Sequence, residues 1–363
     1  MKVVVALSGG VDSAVAAYLL KQEGHDLVAL FMKNWEEKEQ TGLCTSARDF
    51  QDVVLICDSL QIPYYTVDFT KEYWERVFSR FLKELTLGNT PNPDVLCNKE
   101  IKFNLLYDKA LEIGGEALAT GHYCRHMGGM LFKGVDKKKD QSYFLFSIPS
   151  ERLEKVRFPL GHYQKSNVKE IAKKAGLPVA DKKESMGICF IGKRKFKPFL
   201  EKFLPNREGP IETLDGKVIG VHQGSYYYTI GQRKGLGIGG PGGPWFVVKK
   251  DPRRNAVIVA QGSRHVSLSS RSLIATSPSW VGPPPPFPLN LHAKIRYRQQ
   301  EEPCWVTQPT EGTLLVHFDR PQRAVTPGQS IVFYEGERCL GGATIRLEEP
   351  SSSVSLGILE ADF

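Results

Sequence analysis

A chain of 363 residues, 41% hydrophobic and 24% charged, is long enough for two or three separately buried cores and has the make-up of a soluble globular protein. It has no apolar run near the roughly eighteen residues that would span a bilayer, so no membrane segment is expected. Seven cysteines without a CxxC pair argue against a disulfide scaffold or a cysteine-rich zinc site, and a net charge of +8 points to a polyanionic partner. The chain opens Met1-Lys2 and enters an apolar run at once, which leaves no room for a presequence and makes the cytoplasm the expected compartment.

In chain order, residues 3–7 predict a strand buried on both faces, 13–22 a helix closed by Gly24, and 27–32 a second strand. Phe50, Val53, Val54, Cys57 and Leu60 recur at helical spacing before a third strand at 64–67. Trp74, Val77, Phe78, Phe81 and Leu85 mark another helix; a proline-rich loop, a helix over 101–113 and a strand over 117–120 follow. This alternation predicts an α/β fold, a doubly wound parallel sheet. A helix over 164–176 has Ser166 as its expected cap and Gly176 as its stop. Between positions 182 and 207 stand eight basic and two acidic residues, a local cationic excess.

Beyond about residue 205 the pattern becomes β. Asp215-Gly216 reads as a hairpin turn, and Val247 and Val248 pair with residues 257–259 across a turn at 251–255. Strand-like runs at 289–298, 305–307, 314–318, 331–334 and 342–345 predict a small barrel or sandwich, with 283–286 as a stiff polyproline connection. In "HAKIRYRQ" alternation would put Lys294, Arg296 and Arg298 on one strand face, suited to phosphates or simply to solvent. The expected units are an α/β domain over 1–203, a mainly-β central domain over 204–268 and a C-terminal β-barrel over 269–363.

The string "ALSGGVDS" at 6–13 lies between a predicted strand and a predicted helix. Two glycines let the backbone approach an anion at a helix start, although a tight strand-to-helix turn would use the same residues. A Walker loop carries a lysine for the β and γ phosphates; this one carries none. It resembles instead the PP-loop of adenylating ATP pyrophosphatases, which hold the pyrophosphate end of ATP while a substrate oxygen attacks the α phosphate. In a doubly wound sheet ligands lie beyond the carboxyl ends of the strands, which would bring Met32 and the pair Gly121-His122 beside this loop. Cys57, Cys304 and Cys339 read as core, and Cys44 and Cys124 as structural. Cys97 lies in the proline-stiffened loop "NTPNPDVLCNKEIKF" behind Asp94, itself either a proton carrier or a turn residue, and Cys189 lies among cations in "KKESMGICFIGKRKF". Positive surroundings favour a reactive thiolate, but residue type alone leaves both cysteines open to a structural reading.

SGGVDS, FMKNW, TPNPDVLCNKEIKF, TGHY, KDQSYFL, GICFIGKRKF, YTIGQRKGLGIGG and RYRQ run in order through the chain, which thereby resembles the tRNA-specific 2-thiouridylase family along essentially its whole length. The resemblance implies replacement of oxygen by sulfur at carbon 2 of the wobble uridine of tRNA, in acceptors of the glutamate, glutamine and lysine type. It implies ATP and Mg²⁺ as cofactors and a persulfide-donating desulfurase or relay protein as partner. By the same resemblance Ala6, Leu7, Ser8, Gly9, Gly10, Val11, Asp12, Ser13, Met32 and Gly121 bind ATP, and Asn92, Pro93 and Asp94 meet the target base. Cys97 is then the nucleophile, Cys189 the persulfide carrier and its transient disulfide partner, and Asp94 a catalytic residue; His122, Lys139, Asp140, Gln141, Arg296, Tyr297 and Gln329 contact tRNA.

Overall fold

The computed structural model describes residues 1–36, 45–183 and 196–346. Its first part alternates β1 (Lys2–Leu7), α1 (Val11–Gln22), β2 (Asp26–Lys33), α2 (Thr45–Leu60), β3 (Tyr64–Asp68), α3 (Thr70–Tyr73), a π-helical turn, α4 (Ser79–Thr86), α5 (Pro93–Cys97), a longer π-helical stretch (Asn98–Leu106), α6 (Tyr107–Glu112) and β4 (Ala117–Ala119). After a hairpin of β5 (Cys124–Met127) and β6 (Met130–Lys133) come α7 (Ser142–Leu145), α8 (Ser150–Leu153), β7 (Val156–Arg157), α9 (Lys165–Lys174) and α10 (Phe196–Leu200).

Strands β1, β2, β3, β4 and β7 form one sheet in the order β3-β2-β1-β4-β7, every pairing parallel. Val3, Val4 and Val5 are fully buried because both faces of β1 are covered: Val3 and Val5 meet α1, α2 and α9, while Val4 meets the helices of residues 93–112. Strand order reverses between β1 and β4, so the carboxyl ends of β2, β1 and β4 stand side by side at the crevice where such sheets bind ligands. The helix over α9 is capped at Gln164 with no side-chain bond; Ser166 bonds Asn167 instead of serving as the cap. Gly176, with φ of 63°, ends it as expected.

A second sheet comprises β8 (Gly209–Thr213), β9 (Val218–His222), β10 (Trp245–Asp251) and β11 (Ala256–Gln261), with both expected turns present: Gly216 and Asn255 take positive φ. The barrel contains β12 (Ser269–Trp280), β13 (Leu289–Lys294), β14 (Glu302–Thr310), β15 (Thr313–Arg323), β16 (Ser330–Glu335) and β17 (Arg338–Arg346), closed by pairing of β12 with β17. Closure removes the sheet edges a sandwich would leave. Two features of this barrel depart from the sequence reading. The β5–β6 hairpin of the first part extends the barrel sheet, with Arg338 opposite Phe132 and Cys339 opposite Leu131. Strand β13 ends at Lys294, so residues 295–299 turn, and the alternation expected through Arg298 does not form.

Candidate nucleotide and thiol site

At the end of β1 the chain turns through Ser8, Gly9 and Gly10 into α1. Gly9 has φ of 71°, and a Cβ there would lie 2.5 Å from the Asp49 carbonyl oxygen, so only glycine fits. Ser13 Oγ donates to Gly10 O at 3.1 Å and accepts from Ser8 N at 3.2 Å, which draws the loop closed under the helix start. No side chain caps α1, leaving its first N–H groups to face the crevice with the positive end of the helix dipole. Leu7 and Val11 are buried, so these two can offer a ligand only backbone atoms, while Ala6 is half-buried.

The cation absent from the loop arrives from distant sequence. Lys165, the first residue of α9, is buried and places its Nζ 2.5 Å from Asp12 Oδ1, which also accepts from the Tyr123 hydroxyl at 2.7 Å. Lys182 donates to Gly9 O at 2.8 Å, Asp49 Oδ1 at 2.9 Å and Asp52 Oδ2 at 2.5 Å. Its burial disfavours the charge, but the bonds to Asp52 and Asp49 outweigh that and the pKa is raised, so Lys182 neutralises two carboxylates behind the loop. Neither lysine stands out in sequence, because nothing local relates a helix start at 165 or a basic run at 182 to residues 9–12.

Gly121, just beyond β4, backs onto the same turn: a Cβ there would lie 2.8 Å from Asp12 C and from Ser13 N. His122 bonds Thr120 Oγ1 through Nδ1 at 2.8 Å, and burial together with the nearby Lys102 charge lowers its pKa well below the ordinary range, keeping it neutral. Met32 lies inside β2 rather than after it, half-buried, with its side chain packed between two core clusters. The three segments expected around one nucleotide are thus brought together at neighbouring strand ends.

The stretch expected to be a loop before Cys97 is a helix. Asn92 Oδ1 accepts from Asp94 N at 3.2 Å and Val95 N at 3.4 Å, Pro93 occupies the first turn, and α5 runs to Cys97. Asp94 and Cys97 are therefore three residues apart on a helix, on neighbouring turns of one face. Cys97 is 1% exposed, in a cluster that includes Tyr73, Phe78 and Phe199. Asn98 is buried beside it and donates Nδ2 to Phe144 O at 3.1 Å, joining α5 to the KDQSYFL motif. Burial pushes the Cys57 and Cys304 thiols up to about 12 and raises those of Cys124 and Cys339, as suits core residues. Cys44 and Cys189 lie outside the described residues.

Of the residues expected to meet tRNA, Asp140, Arg296, Tyr297 and Gln329 fall at contacts between the first part and the barrel, whereas His122 and Gln141 bond within the first part. Asp140 is buried; Oδ1 accepts from Gly134 N and Ser142 N, both at 3.1 Å, and Oδ2 lies 3.8 Å from Lys294 Nζ. Gln141 Oε1 accepts from Tyr123 N at 2.9 Å, and Lys139 beside it is half-buried. Tyr297 packs on Phe144 with ring centroids 4.5 Å apart, and burial, with Asp140 nearby, raises its hydroxyl to about 12. Arg296 Nη2 donates to Ala324 O at 2.6 Å, and its pKa is lowered by burial and by Arg323. Gln329 Nε2 donates to Thr90 O at 2.7 Å, two residues before Asn92. Arg296, Gln329 and Asp140 thus spend side-chain bonds on the fold itself, which their sequence neighbourhoods do not reveal.

Family descriptions match the chain in order: a tRNA methyl transferase HUP domain over residues 1–193, a tRNA methyl transferase PRC-barrel domain over 197–261 and an aminomethyltransferase beta-barrel domain over 270–345. The tRNA-specific 2-thiouridylase MnmA of Alkaliphilus oremlandii (strain OhILAs) is 54% identical over 351 residues, 95% of this chain and 96% of the relative. The protein of that name from Protochlamydia amoebophila (strain UWE25) is 51% identical over 96% of this chain and 94% of its own. The tRNA-specific 2-thiouridylase MnmA 2 of Geobacillus kaustophilus (strain HTA426) is 53% identical over 95% and 94%. The domain descriptions name methyl transfer, but relatives at half identity from end to end carry the thiouridylase name, and the longer match decides. The chain belongs to the tRNA-specific 2-thiouridylase family.

Proposed function

We propose that this protein uses ATP to replace the carbon-2 oxygen of the wobble uridine of tRNA by sulfur. The observation that carries the reading is the pairing of a lysine-free phosphate turn at the switch point of the sheet with a capped helix that ends in Cys97. Carbonyl oxygen leaves poorly, and adenylation makes it part of a good leaving group. The uridine oxygen attacks the α phosphorus while the amides of residues 8–13 hold the departing pyrophosphate, with Lys165 and Asp12 at the loop's edge.

Mg²⁺ bound to ATP takes most of its ligands from phosphate and water, so Asp12 alone is a sufficient protein contribution; the ion would supply charge neutralisation on the pyrophosphate. Asn92, Pro93 and Asp94 receive the everted base, and Asp94 handles its proton.

Sulfur arrives as a persulfide on Cys189, loaded by a donor protein. Its terminal sulfur attacks carbon 2, AMP departs with the oxygen, and Cys97 attacks the sulfur of Cys189 to release the thiolated base and leave a Cys97–Cys189 disulfide. Alternatively Cys97 forms that disulfide first and the liberated hydrosulfide attacks carbon 2. Either way an external thiol must reduce the disulfide before the next turnover. His122, Lys139, Arg296, Tyr297 and Gln329 face the tRNA, and Asp140 and Gln141 shape the surface beneath it. No helix among the described residues is long and apolar enough to cross a membrane, and we place the reaction in the cytoplasm, where tRNA and ATP are found.

With a persulfide-loaded donor, Cys97→Ser is expected to abolish 2-thiouridine while leaving tRNA-dependent pyrophosphate release intact, and Asp12→Ala to abolish both. Undiminished thiolation by Cys97→Ser, or pyrophosphate release driven by a small acid instead of tRNA, would refute the proposal.

A further inference from the structure

Thr90, two residues before the cap of α5, has its polar groups held by other parts of the chain. Its N–H donates to Pro327 O at 2.7 Å and its carbonyl accepts from Gln329 Nε2 at 2.7 Å, both in the barrel. Its hydroxyl lies 3.4 Å from Lys250 Nζ of β10, which also reaches Asn89 O at 3.4 Å. The approach is close throughout: a Cβ on Gly328 would lie 2.9 Å from Thr90 N, and one on Gly88 would lie 2.4 Å from Pro252 Cγ. A register shift in β10 between Val247 and Lys249 immediately precedes Lys250, the kind of irregularity that re-aims a side chain.

Lys250 is 5% exposed, and its two bonding partners are a carbonyl and a hydroxyl, with no carboxylate of the described residues paired to it. An ammonium buried against neutral oxygens alone weakens the fold, and burial drops its pKa to about 8. A hydrocarbon at this position would pack at less cost, so stability does not account for the charge. Its partners do: both belong to the segment that leads through Pro91 into Asn92, Asp94 and Cys97.

We propose that Lys250 is a positioning residue that reaches from the central sheet to fix the connecting segment at residues 89–90, and with it the base-contacting start of α5. This rests on the proposed role of Asn92 and Cys97, and it extends the reaction's machinery to a domain that otherwise lies outside it.

The test is Lys250→Met, Thr90→Val and the double variant in the full chain, read by melting temperature, by amide hydrogen exchange over residues 90–97, and by thiolation kinetics with tRNA. Lys250→Met is expected to melt no lower than wild type, to exchange faster over 90–97, and to lower kcat about tenfold at a KM for tRNA within about twofold. Thr90→Val should do the same in weaker form, and the double variant should be no slower than Lys250→Met. Unchanged exchange, unchanged kcat, or a double variant as slow as the product of the singles overturns the inference. Faster exchange in a protein whose wild type makes no 2-thiouridine would instead sink the proposed function and leave the positioning contact standing.

Discussion

Lys250 also dictates a pH signature. Its pKa is 10.5 when unfolded and about 8 when folded, so between these values the unfolded chain binds more protons and stability rises with pH; below about 8 the full penalty is present. The shift corresponds to a penalty of about 3 kcal/mol. Wild type should therefore melt below Lys250→Met at pH 7 and approach it as pH rises toward 10; a gap that is constant with pH would show that the ammonium is not desolvated. At the glycine turn before α1, Lys165→Met is expected to slow pyrophosphate release while keeping the fold, because Asp12 retains the Tyr123 hydroxyl as partner. Loss of folding in that variant would mean that the ion pair serves structure alone.

At the scale of elements, two local features answer to single substitutions. Asn92→Ala removes the acceptor for two N–H groups of α5 and should destabilise by about 0.5–2 kcal/mol, whereas Asn92→Asp keeps the cap. Measuring melting and thiolation for both separates the cap from base recognition: if Asn92 also meets the uridine, the aspartate variant keeps its melting temperature and loses activity. Gly121→Ala drives a methyl into the backbone of residues 12 and 13, an overpacking of about 1–3 kcal/mol. It should raise the KM for ATP more than it lowers the melting temperature, and equal ATP kinetics would contradict the placement of β4 against the turn.

For the whole molecule, the β5–β6 hairpin is covalently part of the first unit but structurally part of the barrel. Leu131 and Cys124 are completely buried and Lys133 Nζ bonds Glu301 Oε2 at 2.7 Å across that boundary. Calorimetry is therefore expected to show the first unit and the barrel unfolding in one transition; two well-separated transitions would deny the coupling. Binding of tRNA to a chain of net charge +8 should weaken steeply as salt rises, and a flat log–log plot would rule out a surface that reads phosphates.

Residues 3–7, 8–13 and 117–120 are legible as a buried parallel strand, a glycine turn into a helix and a second strand end because these are local: an apolar run without alternation, glycines where the backbone must bend, a short strand before Gly121. The family blocks likewise lie in the one-dimensional order of the chain. What sequence could not settle were partnerships across distance. It reads NTPNPDVLCNKEIKF as a proline-stiffened loop, since an Asn-Pro pair serves a turn as readily as a helix cap, and only the Asn92 bonds decide. It extended a strand through Arg298, since alternation persists where pairing stops at Lys294. Lys165 at Asp12, Lys182 at Gly9 and Lys250 at Thr90 join residues more than a hundred positions apart, and a charge's partner is a property of folded space, invisible to any pattern along the chain.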